Sequence, residues 1–169
     1  MSQNQVNLQV PFDLNINTTQ QILVQQGATY SLPVGVDVAP AQPAAFLSGG
    51  SIIAVAYRGS NTPFLVSPSA PATSGDVLVI YAGGLGVTDT AVANGAASPS
   101  SPLARTKAPV SVTIGGLDAA VAFAGLAPGF VGLYQINAMI PSGITPGSAV
   151  PVTISVSGQT SPPAAMAVQ

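Results

Sequence analysis

APVSVTIGGLDAAVAFAGLAPGFVGLYQINAMIP, residues 108–141, decides the fold class. Val110, Val112 and Ile114 alternate with Ser111 and Thr113. That period of two belongs to a strand with one face in a core and the other in water. Gly115-Gly116 interrupts it, since glycine reaches positive φ without a Cβ clash. Val121 and Phe123 carry a second strand, and Leu126-Ala127-Pro128-Gly129 turns the chain. Tyr134, Ile136, Ala138 and Ile140 share one face of a third strand, which Pro141 ends. Short strands joined by glycine-bearing turns predict an all-β fold.

The flanks read the same way. Residues 76–81 (DVLVIY) are nearly continuously apolar, which predicts a strand buried on both faces, and Gly83-Gly84-Leu85-Gly86 ends it. Residues 88–107 form a long polar loop, expected to be packed down or functional. Val150, Val152, Ile154 and Val156 alternate with Pro151, Thr153, Ser155 and Ser157; Gly158-Gln159 turns the chain, and residues 163–168 close it. Toward the N-terminus, residues 5–11 (QVNLQVP) read as a half-buried strand. Residues 22–25 and 32–38 read as strands around a Gln26-Gly27-Ala28 turn, with Pro33 marking a strand start or edge. Residues 51–58 (SIIAVAYR) predict a strand, Gly59-Ser60-Asn61 a turn, 62–66 a short return strand, and 67–75 a linker. No helix of useful length is visible.

A constant shift of 130 residues superposes the two ends of the chain. Gln5, Asn7 and Pro11 fall on Gln135, Asn137 and Pro141; Val6 falls on Ile136 and Val10 on Ile140. Ile22, Val24, Ser31, Pro33 and Val38 fall on Val152, Ile154, Ser161, Pro163 and Val168. The register holds without a gap, which marks an internal repeat. Residues 1–40 then resemble the last three strands of a unit whose complete copy lies near 72–169. Such a half-sandwich has an apolar face and free strand edges. It is expected to dock on the complete unit, recruit the following hairpin, or pair with another molecule. The expected division is a half-repeat with hairpin and linker over 1–71 and a β-sandwich over 72–169.

Composition narrows the function classes. Apolar residues make up 47% of the 169, but charged ones only 5%, against about 25% in ordinary domains. Solubility falls to Ser, Thr, Asn and Gln. Arg58, Arg105 and Lys107 are the only basic residues, too few to track a phosphate backbone, so no nucleic-acid partner is expected. Gly, Pro or polar residues interrupt every apolar stretch well short of the ~18 residues a membrane helix needs, so no membrane insertion is expected. Aromatic residues at 5% are too scarce for the girdles of a transmembrane barrel. The chain has no cysteine, and Met1-Ser2-Gln3 lacks the basic start and apolar stretch of a signal peptide. Few Lys, no Glu and abundant Ala, Gly, Ser, Thr and Pro fit a secreted or cell-surface bacterial β-protein.

Three segments carry a resemblance: GDVLVIYAGGLG at 75–86, PLARTKAPVSVTIGG at 102–116 and FAGLAPGFVGLYQINAMIP at 123–141. Together with the QVNLQVP opening, they resemble an uncharacterised C-terminal domain family of large secreted or surface proteins in Acidobacteria such as Solibacter. That family brings no known catalytic or binding residues. A looser likeness is to the IPT/TIG class of immunoglobulin-like domains. Residues 72–169 follow its order: a strand into a Gly-rich turn, a V-x-I-G-G strand, an A-V-x-F strand, a strand ending in Pro, and a final hairpin. The resemblance implies an immunoglobulin-like antiparallel β-sandwich with an additional N-terminal half-repeat.

No catalytic, cofactor or metal residues are predicted. Without His, Cys or Glu, the candidate general bases reduce to five aspartates and Lys107, and nothing pairs with Lys107 at a motif spacing. Asp76, Asp89 and Asp118 have oxygen ligands suited to calcium but no loop spacing for it; each adjoins a turn, where Asp commonly caps amides. Gly83-Gly84-Leu85-Gly86 follows a strand but precedes no helix, which makes it a turn and not a phosphate loop. Sugar binding would rest on Tyr30, Tyr57, Tyr81 and Tyr134, of which Tyr81 and Tyr134 sit in apolar strands. The expectation is a non-enzymatic extracellular module for interaction, spacing or assembly by strand pairing, its partner another domain or itself in an oligomer or filament. The alternative is a carbohydrate-binding accessory module of a secreted hydrolase.

Overall fold

A computed structural model describes residues 6–59 and 62–169. The described residues form strands, turns and loops and no helix. In chain order the strands are β1 (Thr18–Ile22), β2 (Gln25–Gln26), β3 (Thr29–Tyr30), β4 (Val34–Val38), β5 (Ala44–Ala45), β6 (Leu47–Ser48), β7 (Ser51–Ile52) and β8 (Ala54–Tyr57). They continue with β9 (Phe64–Leu65), β10 (Val77–Gly83), β11 (Val110–Ile114), β12 (Leu117–Leu126), β13 (Tyr134–Met139), β14 (Gly147–Val156), β15 (Gln159–Thr160) and β16 (Ala164–Val168).

Two antiparallel-rich sheets make up the body, consistent with a β-sandwich. One runs β9-β8-β10-β13-β12 and the other β12-β11-β14-β16-β7-β6. Strand β12 serves both. Its first residues pair with β11, and its remainder pairs with β13 across a register shift between Val121 and Phe123. A bulge bends a strand and adds twist, which lets one strand turn from one sheet into the other. The predicted strand at 51–58 is likewise divided. Ser51 pairs in parallel with Ala165 of β16, whereas β8 pairs with β10. Ile53 is the crossing point, its N–H bonded to Phe46 O at 2.8 Å.

The alternation read from the sequence is the alternation of burial. Tyr134, Ile136, Ala138 and Ile140 point into the core, as do Val112, Ile114, Val150, Val152, Ile154 and Val156. In β10, Leu78, Val79 and Ile80 are all buried, as a strand covered on both faces requires. The core also takes Ala41, Ile52, Ala54, Ala56 and Val66, so the sheets draw on both sides of the expected division after residue 71. The loop 88–107 is packed down. Thr88, Ser98 and Ala104 are buried, and Ser98 exchanges main-chain bonds with Phe130 and Gly129.

Residues 6–11 are not the strand that their alternation predicts; Gln5 lies outside the described residues. Their counterpart β13 lies between β10 and β12, and a strand needs such partners for its main-chain groups. Residues 6–11 lack them and run as an extended strap. Gln9 Oε1 accepts from Gly95 N–H at 2.8 Å, Phe12 N–H donates to Asn94 Oδ1 at 2.9 Å, and Asn94 Nδ2 donates to Asp13 at 2.8 Å. Of the predicted turn at 59–61, Ser60 and Asn61 lie outside the described residues.

Candidate functional site

The unusual element is the hairpin 18–38. Gly27, at φ +60°, and Ala28 form its tip, and Gln25 Nε2 bonds Gly27 O at 3.0 Å. From there β2 pairs with β3, then β1 with β4, placing Gln20 opposite Val36 and Ile22 opposite Val34. Between these pairs stands Ser31. Its N–H donates to Val24 O at 2.9 Å, its Oγ accepts from Val24 N–H at 3.0 Å, and the hydroxyl donates to Leu32 O at 3.0 Å. The sequence reading gave two strands and the turn but missed that they form one register-locked hairpin reaching back to Thr18.

The C-terminal hairpin has the same construction 130 residues later. Ser161 N–H donates to Ile154 O at 2.8 Å, Ser161 Oγ accepts from Ile154 N–H at 3.0 Å, and the hydroxyl donates to Pro162 O at 3.0 Å. Val150 stands opposite Met166 and Val152 opposite Ala164, as Gln20 and Ile22 stand opposite Val36 and Val34.

The surroundings differ. Around the C-terminal hairpin, β11 covers the edge of β14, and β7 with Ala72 covers the edge of β16. The opposite sheet covers the inner face. Among the described residues, β1 and β4 pair only with each other, and β2 and β3 likewise. Ile154 is 0% exposed and its counterpart Val24 44%; Ala164 is 6% exposed and Val34 61%. The strap repeats the contrast: Val6 and Leu8 are largely exposed, whereas Ile136 and Ala138 are buried. Fully burying a Val or Ile side chain is worth roughly 1.5–3 kcal/mol. An isolated two-stranded hairpin is marginal in water. The open face is therefore a surface suited to being covered.

The chain leaving this hairpin is clamped to the body. Gln42 N–H donates to Gly84 O at 2.8 Å, and a Cβ on Gly84 would stand 1.9 Å from Gln42 O. Gly83-Gly84-Leu85-Gly86 is thus a close backbone crossing as well as a strand end, with Leu85 fully buried. The Tyr134 hydroxyl donates to Gly86 O, and burial pushes its phenol pKa up to about 12.

The other candidate residues are dispersed. Asp76 is 2% exposed. Its carboxylate accepts from Arg58 Nη2 at 2.9 Å and Thr73 N–H at 2.8 Å. Burial raises its pKa, but the bonds from Arg58 and Thr73 outweigh this and hold it below the usual carboxylate range. Asp89 Oδ1 accepts from the amides of Thr90 and Arg105. Asp118 stands opposite Thr113 in the β11–β12 turn region. No group of three acidic, His or Cys side chains gathers among the described residues. Tyr30 and Tyr57 are exposed on different sheets, and Tyr81 is half-buried. Arg105 lies 4.9 Å over the Phe123 ring, beside Lys107 in a shallow depression of about 340 Å³. No protein-family model, curated protein or solved structure matches the chain.

Proposed function

We propose that this chain is a non-enzymatic, immunoglobulin-like (IPT/TIG-like) module of a secreted or cell-surface protein, serving interaction, spacing or assembly through β-strand pairing. The observation that carries the reading is the hairpin 18–38, which has the register of the C-terminal hairpin and none of its covers. Free main-chain groups beside an apolar face are what strand addition uses: the ladder gives affinity and alternate side chains give register. The antiparallel-rich sheets with one parallel contact at β7–β16 support the immunoglobulin-like assignment. The absence of His, Cys and Glu and the amide-bound state of Asp76 and Asp89 support a non-enzymatic role. The low charge and the likeness to Acidobacterial C-terminal domains support an extracellular setting.

Solution mass by light scattering over a concentration series tests the proposal. With no partner present, open edges pair with one another, so the intact chain grows reversibly beyond the monomer. A Val24→Asp, Val34→Asp, Val36→Asp variant stays monomeric, because charges on the exposed face block stacking and edge pairing. Equal masses for both proteins at every concentration would remove the support for strand pairing.

A further inference from the structure

What covers the edge of β14 indicates what fits the corresponding edge of the N-terminal hairpin. Along β14, Val110, Val112 and Ile114 of β11 stand opposite Val156, Ile154 and Val152. The Thr113 and Thr153 hydroxyls share a hydrogen bond of 2.6 Å, and Gly115 N–H donates to Pro151 O at 2.8 Å. The shift of 130 residues carries that seat onto Gln26, Val24 and Ile22. There Val24 commits both main-chain groups to Ser31. The alternation of an antiparallel strand then turns the N–H and C=O of Leu23 and Gln25 toward the open edge. The chain's own β11 has both edges occupied, by β12 and β14, so a second copy cannot lend it without breaking its own sheet.

We infer that the edge from Ile22 to Gln26 is a seat for one antiparallel strand of a partner polypeptide, with Val or Ile at alternate positions and Ser or Thr between them. The inference rests on the strand-pairing reading above and specifies the partner. Main-chain bonds at Leu23 and Gln25 hold the strand. Its apolar side chains extend the face of Ile22, Val24, Val34 and Val36, and a one-residue slip would turn them into water. A charged residue at an inward position of the incoming strand finds no counter-charge among these side chains, which sets the specificity.

The test adds a synthetic peptide with the sequence of residues 108–116, flanked by solubilising lysines, to the intact chain. The control peptide has Asn at the positions of Val110, Val112 and Ile114. At a concentration roughly ten times its Kd, the first peptide slows amide exchange at Leu23 and Gln25 about tenfold. The control does not, and the Val24→Asp chain shows no slowing while its C-terminal amides exchange as before. Equal slowing by both peptides, no slowing, or perturbation confined to Thr153 and Ser155 would overturn the inference. If the peptide fails but the mass of the intact chain still grows through the hairpin, this partner is wrong and the strand-pairing reading stands.

Discussion

Asp76 and Arg58 form the ion pair that fastens the β8 end to the turn before β10. Because the Asp76 carboxyl lies below its ordinary pKa when folded, its contribution is present above the unfolded value, near 4, and is lost as pH falls through the lower folded value. Asp76→Asn should lower unfolding free energy by about 2 kcal/mol at neutral pH in urea titrations, with the gap to the parent chain closing in acid. Gly84 has φ +72° and faces the Gln42 carbonyl, so Gly84→Ala should cost roughly 3 kcal/mol, whereas Gly83→Ala, with open space beside it, should change the thermal midpoint little. The two repeat serines make a matched pair. Ser161 is buried, and Ser161→Ala leaves the Ile154 amide without its acceptor, a loss of about 1–3 kcal/mol. Ser31→Ala exposes the Val24 amide to water and should be nearly silent in the same melt. The shared serine was legible at the 130-residue shift; the difference in its worth was not, because burial depends on what lies across the sheet.

At the scale of elements, period-two alternation found β11, β13 and β14 and their inward faces, since each lies between paired neighbours with one face on the core. The same signal failed at residues 6–11. Val6, Leu8 and Val10 alternate as a strand face should, but no strand adjoins them, and alternation reports a capacity for burial and not its fulfilment. The splitting of 51–58 between two sheets was equally hidden, because Ile52 and Ala54 are both buried whichever sheet they serve. The two hairpins turn this into a prediction. Ile154→Ala should cost about 2–5 kcal/mol through the cavity it opens in a closed core. Val24→Ala, at the matching position, should shift the denaturant midpoint by less than about 0.5 kcal/mol equivalent, as exposed substitutions do.

The whole molecule presents one hairpin design twice, once enclosed by β11, β7 and the facing sheet and once open to solvent. Sequence comparison of the two ends revealed the duplication, and the main-chain bonds around Ser31 and Ser161 give it geometry. The interaction surface was legible only as a deficit, a set of strands without the partners that complete them elsewhere in the chain. Native-state amide exchange, residue by residue, measures that deficit most directly. Val24 and Ser31 should exchange roughly a hundredfold or more faster than Ile154 and Ser161, because equal hydrogen bonds open locally in the uncovered hairpin and only with the core in the covered one. Equal protection at the two sites would mean that the N-terminal hairpin is already enclosed, and would contradict the account.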